Sequence, residues 1–100
     1  MITKQIAKRD SILILSTLQS NPFISNKMDL HDPILSIVLK YRFHCPLCDY
    51  FYELHPFLSC KGCPLKNCFE DSDYFKWKNA TSDKQREDAA ASMLNKVIKW

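Results

Sequence analysis

The stretch that decides how this chain is read runs Cys45-Pro-Leu-Cys-Asp-Tyr-Phe-Tyr-Glu-Leu-His-Pro-Phe-Leu-Ser-Cys-Lys-Gly-Cys-Pro-Leu-Lys-Asn-Cys68. It holds all 5 cysteines of the chain. Cys45/Cys48 and Cys60/Cys63 are two Cys-x-x-Cys pairs, and Cys68 follows the second pair. A Cys-x-x-Cys turn lets two sulfurs face one ion, and two such turns complete the four-thiolate tetrahedron that zinc prefers. The spacing therefore predicts a structural zinc site at Cys45, Cys48, Cys60 and Cys63. Cys68 is an alternative ligand that could displace one of the four, and His44 and His55 are further candidates beside the cysteines. An iron–sulfur cluster also uses four cysteines, but nothing around these pairs points to electron transfer. A thioredoxin-like role is weaker still, because no βαβ pattern surrounds either pair.

Working outward, the two pairs differ in their turn chemistry. Cys60-Lys-Gly-Cys63 carries Gly62, the sole glycine of the chain, inside the turn where a positive φ is easiest. Cys45-Pro-Leu-Cys48 has Asp49 where zinc-ribbon knuckles usually place a glycine, and Asp tolerates the left-handed region better than most residues. The spacer between the pairs is short for a ribbon, so the expected site is a compact knuckle.

The rest of the composition sets the frame for that site. At 100 residues the chain is one domain, and a domain so small gains much from a metal staple. Its hydrophobic share of 46% is that of a folded globule, while its single glycine argues against an all-β fold with many tight turns. The expected class is mainly α: a small helical domain around a zinc knuckle, with at most short β segments. Residues 1–43 form an N-terminal helical part, and residues 44–100 form the knuckle part with a C-terminal helix. A net charge of +3 is too small to argue for nucleic acid by itself. No signal peptide or bilayer-length apolar run is visible, so a cytoplasmic setting and no membrane are expected. There thiols stay reduced, and an odd cysteine count suits metal better than disulfides.

Along the chain, residues 3–20 are expected to be helical. Ile6, Leu13, Ile14 and Leu18 would share one face, and Asp10 and Ser11 offer a cap for a shorter helix. The run Ser-Ile-Leu-Ile-Leu-Ser also fits a short buried strand. Asn21 and Pro22 end the element, and Phe23, Ile24, Met28 and Leu30 should pin the connection to the core. Asp32-Pro33 starts a mostly buried helix to Tyr41 or Phe43, which would run directly into Cys45. Asp49 to Leu54 fits a short strand or a helical turn. Ser72 caps a short helix with Tyr74, Phe75 and Trp77. Ser82 caps the last helix with Gln85 in capping-box spacing, and Ala90, Met93, Leu94 and Val97 form its apolar face. Trp100 is expected to tuck against the core.

The pattern at Cys45, Leu47, Cys48, Cys60, Gly62, Cys63, Pro64, Leu65 and Cys68 continues through Tyr74 and Trp77 to the helix motif at Ala89, Ala90, Met93 and Leu94. It resembles a group of small cysteine-rich proteins encoded by bacteriophages, over roughly residues 44 to 98. The resemblance implies an accessory viral protein with a cysteine-bound metal, and it implies no reaction.

Two functions follow as expectations. The first is a non-enzymatic protein that binds a host or viral protein, possible targets being a host transcription or defence factor. Small size, a closed structural metal and 12% aromatic residues motivate it. The second is nucleic-acid binding through Lys40, Arg42, Lys61, Lys66, Lys76 and Lys78 among aromatics, opposed by Glu53, Glu70, Asp71 and Asp73. An enzyme ranks below both: the His-x-Glu of zinc deaminases, a phosphate-cradling glycine loop and a serine elbow are all missing. A homodimer through the N-terminal helices would cover the apolar surface that one small domain leaves open.

Overall fold

A computed structural model describes residues 2–41, 44–54, 63–65 and 72–100. Among the described residues, five α-helices follow one another: α1 Lys4–Ser20, α2 Ile34–Leu39, α3 Pro46–Leu54, α4 Asp73–Lys78 and α5 Asp83–Lys99. A 3-10 turn, Lys27–Asp29, precedes α2, and the described residues contain no strand. The mainly α class read from the sequence is what the chain adopts.

The helix ends are set by short polar side chains. Thr3 Oγ1 accepts from the Ile6 amide at 3.2 Å, Ser72 Oγ from Phe75 at 3.1 Å and Ser82 Oγ from Gln85 at 3.2 Å. Each satisfies an N–H that the first turn leaves without a helical partner. Gln85 reaches back as a capping box requires, but to the amide and hydroxyl of Thr81, both at 3.0 Å, one residue earlier than expected. At the other end of α1, Asn21 closes the helix through its amide to Leu18 O and its side chain to Thr17 O.

α1 and α5, the two longest helices, pack on each other, with α3 against α1 and α4 against α5. Ile14 and Leu18 meet Ala90, Met93, Val97 and Trp77 in one core. Each fully buried Val, Leu, Ile or Met side chain among them contributes about 1.5–3 kcal/mol from area removed from water.

The buried face of α1 keeps Ile14 and Leu18 of the expected apolar face but not Ile6 and Leu13. It carries Ala7, Asp10, Ser11, Ile14, Leu15 and Leu18, while Ile6 and Leu13 are 36% and 41% exposed. A helix packs by spacing, and the 7-11-14-18 ladder keeps Ile14 and Leu18 in the core while Ala7 and Ser11, small side chains, take the positions above them. That choice buries Asp10 to 2% exposure. The buried carboxylate is compensated: Tyr41 donates its hydroxyl to Oδ2, Arg9 Nε lies 3.2 Å from Oδ1, and Lys40 Nζ lies 4.0 Å from Oδ2. Asp10 is thus an anchor for the end of α2 rather than a helix cap, and the short-strand alternative gives way to a continuous α1.

The middle of the chain also departs from expectation. In the connection after α1, Ile24 and Leu30 are buried, but Phe23 is 69% exposed and Met28 points largely to solvent. α2 stops at Leu39, and the amides of Lys40 and Tyr41 close on Ile37 O and Val38 O. This tightened end drops Tyr41 toward Asp10. α2 packs against α1 and the 3-10 turn, so Val38 alone among its residues is fully buried, and it is not the central core helix. Asp32 still does the capping, accepting from the Ser36 amide at 3.0 Å and its hydroxyl at 2.6 Å across a cis Asp32–Pro33 peptide.

Candidate metal centre

Cys45 stands immediately before α3, and Pro46 opens that helix. Proline suits the first helical position because its fixed φ is already helical and its absent N–H would have no partner there. The segment from Asp49 to Leu54 is therefore neither strand nor isolated turn; it continues a helix that begins inside the cysteine motif. The left-handed backbone that the knuckle reading assigned to Asp49 falls instead on His44, at φ 55°. The His44 amide donates to Tyr41 O at 3.0 Å, and its carbonyl accepts from Lys27 Nζ at 3.0 Å.

This placement puts the Cys45 sulfur where the first amides of α3 converge. Its thiol is held well below its ordinary range, first by a hydrogen bond from the Cys48 side chain, against the opposing effect of burial. The Lys27 ammonium and the N–H groups of Cys48 and Leu47 add to the lowering. A helix start and a nearby cation favour thiolate over thiol, and thiolate is the form that binds metal. Cys45 and Cys48 thus sit together at the start of α3, with backbone N–H groups turned onto the Cys45 sulfur.

Cys63, from the second pair, is half-buried and packs against the same core as Cys45. Leu65, two residues on, borders the same cavity as Cys45 and Cys48. Cys60, Cys68 and His55 lie outside the described residues, as do Phe57, Phe69, Arg42, Lys61 and Lys66. Among the described residues, no group of three or more His, Cys, Asp or Glu side chains is gathered into a ligand set. The donor chemistry of the Cys45/Cys48 pair is of the kind zinc prefers.

The aromatic belt is part packing and part surface. Trp100 folds over α3, its ring 5.5 Å from both Tyr50 and Phe51, with Lys4 Nζ 5.0 Å above it. Trp77 is buried beside Tyr74, whereas Phe75 is substantially exposed. Two polar ties escaped sequence reasoning. Arg86 donates to Pro22 O at 2.7 Å and Ala80 O at 3.1 Å, joining the chain after α1 to the chain before α5. Asp73 accepts from Ser92 at 2.8 Å and Lys96 at 2.5 Å, joining α4 to α5. An arginine placed one turn inside a helix is no signal of such a tie, because its partners are backbone carbonyls, which any residue carries, and Pro22 lies 64 residues away.

No family model, curated protein or solved structure matches this chain. Among the described residues no helix is long and apolar enough to cross a membrane.

Proposed function

We propose that this chain is a small zinc-stabilised accessory protein that acts by binding another protein and catalyses nothing. Zinc would be held by Cys45, Cys48, Cys60 and Cys63, with Cys68 as the alternative to one of them, and would supply folding free energy. The placement of Cys45 and Cys48 at the start of α3, with amides on the sulfur, supports that part. A shell closed by four thiolates leaves no open position for a substrate.

The binding role rests on one observation. Ile6 and Leu13, seven residues apart and so on one side of α1, are turned away from the core. Together with Phe23 they leave large apolar side chains open near one helix of a small domain. The partner would be a host or viral protein met in the host cytoplasm, a host transcription or defence factor in the phage reading, or a second copy of this chain.

Capture from host lysate by tagged protein tests this directly. The reading expects a partner retained by the wild type and lost with Leu13→Lys, at unchanged melting temperature. Equal capture by both proteins contradicts it. Light scattering of the purified chain separates a homodimer from a foreign partner.

A second reading is nucleic-acid binding, favoured by Lys76 and Lys78 flanking the last turn of α4 beside the exposed Phe75. Phosphate contacts make such binding fall steeply with salt. A gel shift that weakens from low to high salt, and weakens further in Lys76→Ala, would replace the protein-partner reading.

A further inference from the structure

The outer face of α1 carries a cation in the middle of its apolar stripe. Ile6, Arg9 and Leu13 share one side of the helix, because their spacing follows its turns. All three are exposed, and the Arg9 side chain keeps 65% of its surface. Next to Arg9, Asp10 is buried, with Arg9 Nε 3.2 Å from one carboxylate oxygen and Lys40 Nζ 4.0 Å from the other. The Lys40 side chain is itself 60% exposed, and the exposed Leu39 precedes it at the end of α2.

The charge that this face shows to solvent is positive. Asp10 holds the two cations but is itself out of reach. Lys4, Lys8 and Arg9 all lie in the first half of α1, its first turn holds no acidic residue, and residues 11–20 carry no charge. The helix dipole adds to that positive end. Helix α5 is arranged the other way, with Asp83 in its first turn and Lys96 and Lys99 in its last. Asp49 of α3, which also acts on the Tyr41 hydroxyl beside Asp10, offsets part of this charge.

Whatever covers this face must answer both kinds of side chain. A purely apolar surface would bury the Arg9 guanidinium without a counter-ion, which is costly. A second copy docked through the same face around a two-fold axis would set Arg9 and Lys40 against their own copies. A helix that lies on a membrane keeps its cations on the polar face, whereas here Arg9 interrupts the apolar stripe. Nucleic acid would leave Ile6 and Leu13 unmatched, since the stripe holds no aromatic ring on which a base could stack.

We infer that α1 docks an amphipathic helix of another protein, with an acidic residue set within that helix's apolar stripe. The carboxylate meets the terminal nitrogens of Arg9, whose Nε is already turned to Asp10, and apolar side chains one turn to either side lie on Ile6 and Leu13. Arg9, steadied by Asp10, is preorganised for that contact. The inference rests on the protein-binding reading of the proposed function and names the chemistry of the partner.

Two stapled helical peptides serve as probes. Each carries leucines one turn to either side of a central residue, glutamate in one and glutamine in the other. Each is titrated into the isotope-labelled, reduced full chain and followed by NMR. The expected result is saturable binding of the glutamate peptide about tenfold tighter than the glutamine peptide, as one charge-assisted hydrogen bond gives, with the largest shifts between Ile6 and Leu13. Arg9→Gln should remove the preference, and Leu13→Ser should weaken both peptides. No saturable response to the glutamate peptide, equal affinity for the two, or shifts centred outside α1 overturns the inference. So does light scattering that shows a dimer dispersed by Leu13→Ser, or sedimentation with phosphatidylglycerol vesicles that the same variant abolishes. The wild-type comparison of the two peptides decides even if Arg9→Gln folds poorly. In the lysate experiment, a partner lost with Leu13→Lys but retained by Arg9→Gln overturns the inference and leaves the proposed function standing, whereas one retained by both contradicts the proposed function.

Discussion

The α1–α5 pair and the start of α3 are held by different means. The two long helices meet through Ile14, Leu18, Ala90, Met93 and Val97, and their caps follow familiar rules. The start of α3 is fixed by a left-handed His44, a proline at the first helical position and two sulfurs in hydrogen-bond contact. Area stabilises the first region, and specific chemistry stabilises the second. A mutation that removes volume should therefore damage the helix pair, whereas a change of ligand or redox state should damage the cysteine side.

The largest expected effect belongs to Trp77, which is buried where α4 meets the helix pair. Trp77→Ala should cost about 3–5 kcal/mol, because it leaves a cavity as well as losing burial. Urea denaturation checks it; a loss below about 1 kcal/mol would mean that volume is not what holds this region.

Next comes the polar anchor within the apolar region. Asp10→Ala leaves the Tyr41 hydroxyl buried without its acceptor and should cost about 1–3 kcal/mol. Burial, and then the bond to Asp10, push the Tyr41 hydroxyl well above its ordinary pKa. Asp10→Asn keeps an acceptor and should lose less in the same denaturation experiment. Equal losses in the two variants would show that charge, not the hydrogen bond, ties α2 to α1.

The smallest effect is at Asp73. Burial raises its pKa, but the bonds from Lys96 and Ser92 outweigh this and leave it below the usual carboxylate value. A lowered folded value means that its stabilisation is complete above the unfolded carboxylate range and fades as pH falls through the folded value. Lys96 is about half exposed, so solvent screening keeps the tie to roughly 1 kcal/mol or less. Asp73→Asn should therefore lower stability slightly at neutral pH, and its difference from wild type should vanish at strongly acid pH. Thermal melts across that range check the sign, and a difference that grows on acidification would contradict it.

The two regions also differed in how readable they were. Ser72 and Ser82 announced their helices, because an N-cap and the apolar spacing behind it are local signals. The last helix was legible almost residue by residue, down to Ala90, Met93 and Val97. Around Asp10 local reading was half right: hydrophobicity chose Ile14 and Leu18 correctly but also Ile6 and Leu13, while the packed face accepted a carboxylate that a tyrosine 31 residues away makes tolerable. α2 looked buried because its residues are apolar, yet a six-residue helix with few neighbours cannot cover them. At the cysteines the motif identified the ligand candidates but not the geometry. Helix α3 starting inside the motif depends on Pro46 and on the turn at His44, which spacing rules for knuckles do not encode.

On the proposed function, zinc on thiolates sets the cysteine side. Native mass spectrometry of the reduced chain, repeated after chelation with circular dichroism alongside, tests it most directly. The account predicts one zinc per chain, lost on chelation together with helical signal and a lower melting temperature. A chain that carries no metal, with the same helical content and melting temperature before and after chelator, would contradict it.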